Sequence, residues 1–279
     1  MINERLQQSF VRLFILLVFT SFAAAQPQKE NSPLKLIPDQ GKMHCNVIVK
    51  KGDHRAIFAL TIPETIGSRE RMILNFPSTT IRWEGPGGDG AVSTSWTTDG
   101  VVSYDLTLTP GDEIIDAEMT IHNLSNETWH DVWSFNCLSP VKAPSFQDSL
   151  MQRTYMSTPD GPLLLSQTNR VRGARPTVGV YFTTYVEHPE QYPFVVDFQA
   201  TSPQRTNGNY LVTLSESGKA YMAATSPKAL FLFNNQKFKC IHSAPNFGVI
   251  APGESSIETC RFNFGEGTLA TFLERLNTE

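Results

Sequence analysis

Two short stretches gather side chains able to carry chemistry. "HDVWSFNCLSP", residues 130 to 140, holds a histidine, a carboxylate, a tryptophan and a cysteine. "CIHSAPNFG", residues 240 to 248, places a cysteine and a histidine two positions apart. Side chains alternate along a strand, so Cys240 and His242 would share one face. Imidazole titrates near neutral pH, which makes His130 and His242 candidates for acid–base work, with Asp148, Glu187 or each other as partner. The competing role is structural, a buried histidine hydrogen-bonded to backbone. No metal site and no cofactor are expected. Zinc would need further ligands, and no CxxC or HxxxH spacing occurs. Nucleophile elbows, P-loops and H-E-x-x-H are also absent.

The residues around the first stretch mix flat apolar faces with fixed polar groups. Trp129, Trp133, Asn136, Phe146, Asp148, Arg153 and Tyr155 all fall between 129 and 155, beside the proline-bearing loop "CLSPVKAPSF". Loops on a rigid scaffold are where binding residues collect. The alternative is that Trp129, Trp133 and Phe135 line one face as core, the usual fate of large aromatic side chains. Arg153, Arg170, Arg172 and Arg175 either clamp a carboxylate through paired hydrogen bonds or stand solvated on the surface.

Strands must position these groups. "VVSYDLTLT" (101 to 109) and "IIDAEMTIH" (114 to 122) alternate apolar and polar around the turn "PGDE" and predict a hairpin. "EGPGGDG" (84 to 90) precedes another strand, not a helix, and reads as a hairpin loop. Similar runs with turn punctuation recur through "NYLVTLSES", "KALFLFNN" and "IETCRFNF". About 14 to 17 strands are expected, too many for an immunoglobulin-like sandwich of roughly 7 to 9. The prediction is an all-β chain, a large two-sheet antiparallel sandwich. One short C-terminal helix follows Gly267-Thr268, where Leu269, Phe272, Leu273 and Leu276 recur at helical spacing.

The chain of 279 residues is 40% hydrophobic and carries a formal charge of only −4, which offers no basic surface for nucleic acid. Residues 1–25 read as a signal peptide: Arg5 and Arg12, the apolar run Leu13 to Phe22, and small residues Ala23 and Ala25 before Gln26. The run is too short to span a bilayer, so no membrane span is expected after processing. The expected location is secreted or periplasmic. Residues 26–40 read as a flexible leader, and 41–279 as a single β-sandwich domain. Export favours disulfides. Cys240 and Cys260 flank the Pro-Gly turn at 252 to 253, and a hairpin there would bring them together, closing a loop of about 20 residues worth roughly 3 kcal/mol. Cys45 with Cys137 would follow by elimination, four free thiols being the alternative.

"LTLTPGDEIIDAEMTIHNLSNETWHDVW" resembles the segment of galactose mutarotase-like sandwiches in which a strand ends in T-x-x-N-x-S and leads towards the sugar cleft. "APGESSIETCRFNF" is similar to the turn and final strand of many carbohydrate-acting β-sandwich proteins. The resemblance implies a supersandwich whose concave face binds saccharide. It carries over no catalytic residue, because Asn123 to Trp129 lacks the histidine motif of those epimerases. A sugar needs aromatic faces and fixed hydrogen-bonding groups. The expected ligand site is therefore Trp133, Asp148, Arg153, Tyr155 and His242, for a carbohydrate that the arginine would allow to be acidic. Two functions follow. The first is a secreted, non-catalytic or accessory carbohydrate-binding protein. The alternative is an epimerase, lyase or glycoside hydrolase using a histidine with a carboxylate, the catalytic candidates being His130, Asp148 and His242. A glycosidase pair would come from Asp131, Asp148, Glu187 and Asp197.

Overall fold

The computed structural model describes residues 33–51, 54–75, 77, 80–169, 175–192, 195 and 199–278. The expected signal peptide, the leader up to residue 32, Arg170, Arg172 and Asp197 lie outside them.

Eighteen strands are found among the described residues, slightly more than expected. They are β1 (Leu34–Asp39), β2 (His44–Lys51), β3 (His54–Gly67), β4 (Met72–Asn75), β5 (Trp83–Glu84), β6 (Val92–Thr98), β7 (Val102–Pro110), β8 (Ile114–Asn123) and β9 (Trp129–Lys142). The second half adds β10 (Thr154–Thr158), β11 (Gly161–Leu164), β12 (Arg175–Phe182), β13 (Gln199–Thr201), β14 (Tyr210–Leu214), β15 (Ala220–Thr225), β16 (Ala229–Asn235), β17 (Cys240–Ile250) and β18 (Ser255–Glu266). One sheet has the order β1-β2-β3-β9-β17-β16-β12-β13, with β4 on β3; the other runs β11-β10-β14-β15-β18-β8-β7-β6-β5. Pairing is antiparallel except between β12 and β13. The protein is an all-β two-sheet sandwich.

The main core lies between the sheets. Val102, Tyr104, Leu106 and Leu108 of β7 and Ile115, Ala117, Met119 and Ile121 of β8 are all buried there, as their alternation predicts. The β7–β8 hairpin pairs without a register break from Val102↔Asn123 to Pro110↔Ile115. The helix α1 (Leu269–Leu276) begins where expected. The Thr268 hydroxyl accepts from the Thr271 backbone, while the Thr271 hydroxyl accepts from the Thr268 N–H, so two otherwise orphaned donors are satisfied. Phe272 then buries against Tyr210 and Tyr221 on the outer face of the second sheet.

The structure corrects two expectations. Within the expected leader, Leu34–Asp39 is a strand, with Leu34 and Leu36 buried in the core. The chain also crosses between sheets after the Pro-Gly turn: β17 pairs with β16 and β9, whereas β18 pairs with β15 and β8. Cys240 and Cys260 are therefore not hairpin neighbours and do not form the expected bridge; both are free. Cys45 and Cys137 are free too. Cys45 faces the intersheet core and lies level with Leu60 and Leu138, with β3 between its strand and β9.

Candidate functional site

A bulge decides what the outer face of the first sheet presents. The β9–β17 register slips between Trp129↔Ile250 and Val132↔Gly248, and Asp131 there has φ of 45°. One extra residue on β9 inverts the alternation. Trp129 consequently packs into the intersheet core, while Trp133, Phe135 and Cys137 turn outward. Trp129, Trp133 and Phe135 do not share the single face that unbroken alternation would give them. The outward residues wall a cavity of about 870 Å³. Trp133 packs edge-on to Phe231, and Phe135 edge-on to Phe233. Gly67 lets the indole in, since a Cβ there would run into its six-membered ring. Asn46, Thr61, Thr65, Asn75 and Asn235 add polar groups to the wall, together with His44, whose Nδ1 lies 2.7 Å from the Thr61 hydroxyl.

The floor of the cavity is charged. His242 sits opposite Cys137 across the β9–β17 ladder, and Cys240 shares its face two residues earlier. The imidazole is 1% exposed, stacked on Phe135 at 4.3 Å and 14° and held edge-on by Phe233. Its Nε2 lies 2.9 Å from Glu64 Oε2 and 4.0 Å from Cys240 Sγ. Nδ1 has no hydrogen-bond partner among the described residues. Glu64 reaches the ring from a second irregularity. Between Thr61↔Cys137 and Thr65↔Phe135, β3 advances two residues more than β9, around the cis Ile62–Pro63 peptide.

These contacts set the protonation states. Burial works against charge on His242, but the Cys240 sulfur and the Glu64 carboxylate outweigh it and hold the imidazole up at about 9. Burial likewise opposes ionisation of Glu64, yet the hydrogen bond to His242 and its charge keep the carboxyl below its ordinary range. The Cys137 hydrogen bond is the main influence lowering the Cys240 thiol, assisted by His242 against burial. Cys137 is pushed up in turn by the same contact, by burial and by Glu64. These contacts favour the charged forms of His242 and Glu64 and acidify the Cys240 thiol beside them.

The five expected ligand-binding residues do not assemble. Trp133 and His242 both line the cavity. Asp148 instead accepts from the backbone N–H groups of Gln152 and Arg153 and from the Thr154 hydroxyl. The Arg153 guanidinium donates to the carbonyls of Ser145, Leu214 and Gln147. Tyr155 packs against the cluster of Tyr210, Tyr221 and Phe272 under α1. Among the catalytic candidates, His130 pairs with exposed Glu70 and, like Asp148, is not among the residues lining the cavity. Asp131 is held by Arg69 and by the Tyr192 hydroxyl, each at Oδ2, and Glu187 is exposed. Asn123, which opens the glycosylation sequon Asn123-Leu-Ser just ahead of a second at Asn126-Glu-Thr, is buried and donates its amide to Glu127 and Ile250 carbonyls, which leaves no room for a glycan. Sequence reading missed Glu64. Pro63 inside a strand pattern was the available signal, because proline in a sheet marks an edge or a bulge.

The chain matches no protein-family model and no curated protein sequence. Solved structures do match. A galactose mutarotase related enzyme from Lactobacillus acidophilus is 10% identical with a TM-score of 0.52, over 86% of this chain and 97% of that one. A galactose mutarotase-like protein from Lactobacillus casei is also 10% identical, with a TM-score of 0.50 over 84% and 98%. The fold is galactose mutarotase-like.

Proposed function

We propose that the protein binds a saccharide in the cavity on the outer face of the first sheet. The carrying observation is the wall itself: Trp133, Phe135, Phe231 and Phe233 stand beside Asn46, Thr65, Asn75 and the His242–Glu64 pair. Rings of this kind stack on the apolar face of a sugar, and the polar groups fix its hydroxyls. The volume, about 870 Å³, suits a small saccharide. The likeness to galactose mutarotase-like structures supports the same ligand class. An acidic sugar loses the arginine first suggested for it, because Arg153 is committed to backbone carbonyls; Lys142, a cationic side chain, lines the same cavity. Export rests on the order of residues 1–25, and the N-terminus of the exported product would be Gln26. Isothermal calorimetry against neutral hexoses and uronic acids tests the binding. Trp133→Ala should weaken it by about 10-fold or more, corresponding to an aromatic contact worth about 1.5 kcal/mol. Absence of heat with every sugar, or full affinity in that variant, would refute the reading.

One observation favours a catalytic role at the same place. A protonated His242 beside an ionised Glu64 is an acid and a base in one cavity. Acceleration of anomer exchange, followed by polarimetry and lost in Glu64→Gln, would make the protein an enzyme; a spontaneous rate would leave it a binder.

A further inference from the structure

The cavity floor carries a second constellation. Cys137, Cys240 and His242 each offer one donor atom, and the three atoms lie within 4.8 Å of one another. Their convergence is built into the ladder, where Cys137 faces His242 and Cys240 follows on the same side. All three side chains are buried yet line the cavity, so an ion has an entry path.

We propose that Cys137, Cys240 and His242 form a binding site for a borderline-soft divalent cation, zinc by the chemistry of its donors. Two thiolates and an imidazole are a zinc set, poorly suited to magnesium or calcium, which take oxygen. Around one tetrahedral zinc, with bonds of about 2.0 to 2.3 Å, donor atoms stand about 3.3 to 3.8 Å apart. The 4.0 Å between Cys240 Sγ and His242 Nε2 is close to that spacing. Glu64 Oε2 lies 2.9 Å from Nε2, beside the three donors but outside their cluster. The imidazole is oriented by Phe135 and Phe233 rather than by a hydrogen bond on Nδ1. The site goes beyond the saccharide reading and does not depend on it. A metal on Nε2 replaces the Glu64 hydrogen bond, so the loaded protein could not use His242 as an acid.

The test takes the full chain with its thiols reduced and the reductant removed, titrated with Co²⁺ and then Zn²⁺. The expected result is thiolate-to-cobalt charge-transfer absorption that saturates at one ion per chain and is bleached by zinc. Cys137→Ser and Cys240→Ser should each weaken binding by about tenfold or more. Zinc should raise the thermal midpoint of the wild type but not of Cys240→Ser. A wild-type chain with four titratable thiols and no charge-transfer band overturns the proposal, whatever the variants do. So does peptide mapping that finds Cys137 and Cys240 joined, since a disulfide has no thiolate to offer. Sugar calorimetry on chelator-treated protein keeps the two readings apart, because loss of metal binding leaves that measurement untouched.

Discussion

Arg153 shows how one side chain can read as a ligand-binder and serve as a tie. Its guanidinium joins three carbonyls, those of Ser145 and Gln147 in the loop after β9 and of Leu214 at the end of β14. Asp148 is consumed in the same way, by two backbone N–H groups and the Thr154 hydroxyl. Arg153→Ala should therefore destabilise the fold by about 1.5–3 kcal/mol, the range for hydrogen bonds from a charged donor. Sugar affinity should stay unchanged, so denaturant melts and calorimetry on the same variant separate the two roles. The sequence shows that an arginine sits beside a proline-rich loop. It does not show that Leu214, far along the chain, leaves a carbonyl facing it.

Whether an element was legible depended on how local its determinants are. The β7–β8 hairpin and α1 were readable because alternation, the "PGDE" turn and the Thr268 cap all lie within a few residues of what they shape. Phe272→Ala should cost about 3–5 kcal/mol, as for other buried aromatic truncations. Thermal melts would reveal it, and near-native stability would show that α1 is not anchored there. The cavity was not legible, because two bulges make it. The one at Asp131 reverses the facing of β9, and the one at Ile62–Pro63 delivers Glu64 to a histidine 178 residues away. A one-residue slip moves every later side chain to the other face of a sheet, and no period-two pattern announces where it falls. Half of the floor, Cys240 with His242, was visible as a spacing. Cys137 stood in the other stretch, but nothing in the sequence set it opposite His242, and Glu64 went unnoticed.

At the scale of the molecule, stability and chemistry occupy opposite faces of the first sheet. Between the sheets thiols resist ionisation: burial pushes Cys45 of β2, in the first sheet, and Cys260 of β18, in the second, up to about 12 from an ordinary 9.0. Folding thus favours their protonated forms. That contribution is complete below pH 9 and is lost as pH rises towards 12, because the unfolded chain releases protons the folded one retains. Denaturation midpoints followed across that window should fall with pH. The slope should flatten in part in a Cys45→Ala, Cys260→Ala protein, since buried Tyr104 and Tyr210 are raised as well. An unchanged slope would remove the thiols from the account.

One further consequence comes from β1, the strand hidden in what reads as a leader. Leu36 exchanges two backbone hydrogen bonds with Gly88, in the loop between β5 and β6 of the opposite sheet, at 2.6 and 2.8 Å. The segment thereby covers the rim of β2 and stitches the two sheets together along one border. A recombinant chain trimmed to residue 41 would expose the unpaired amides of β2 as a template for a neighbouring molecule. The apparently dispensable start of the domain is thus a guard against self-association, and expression boundaries should be drawn upstream of Leu34.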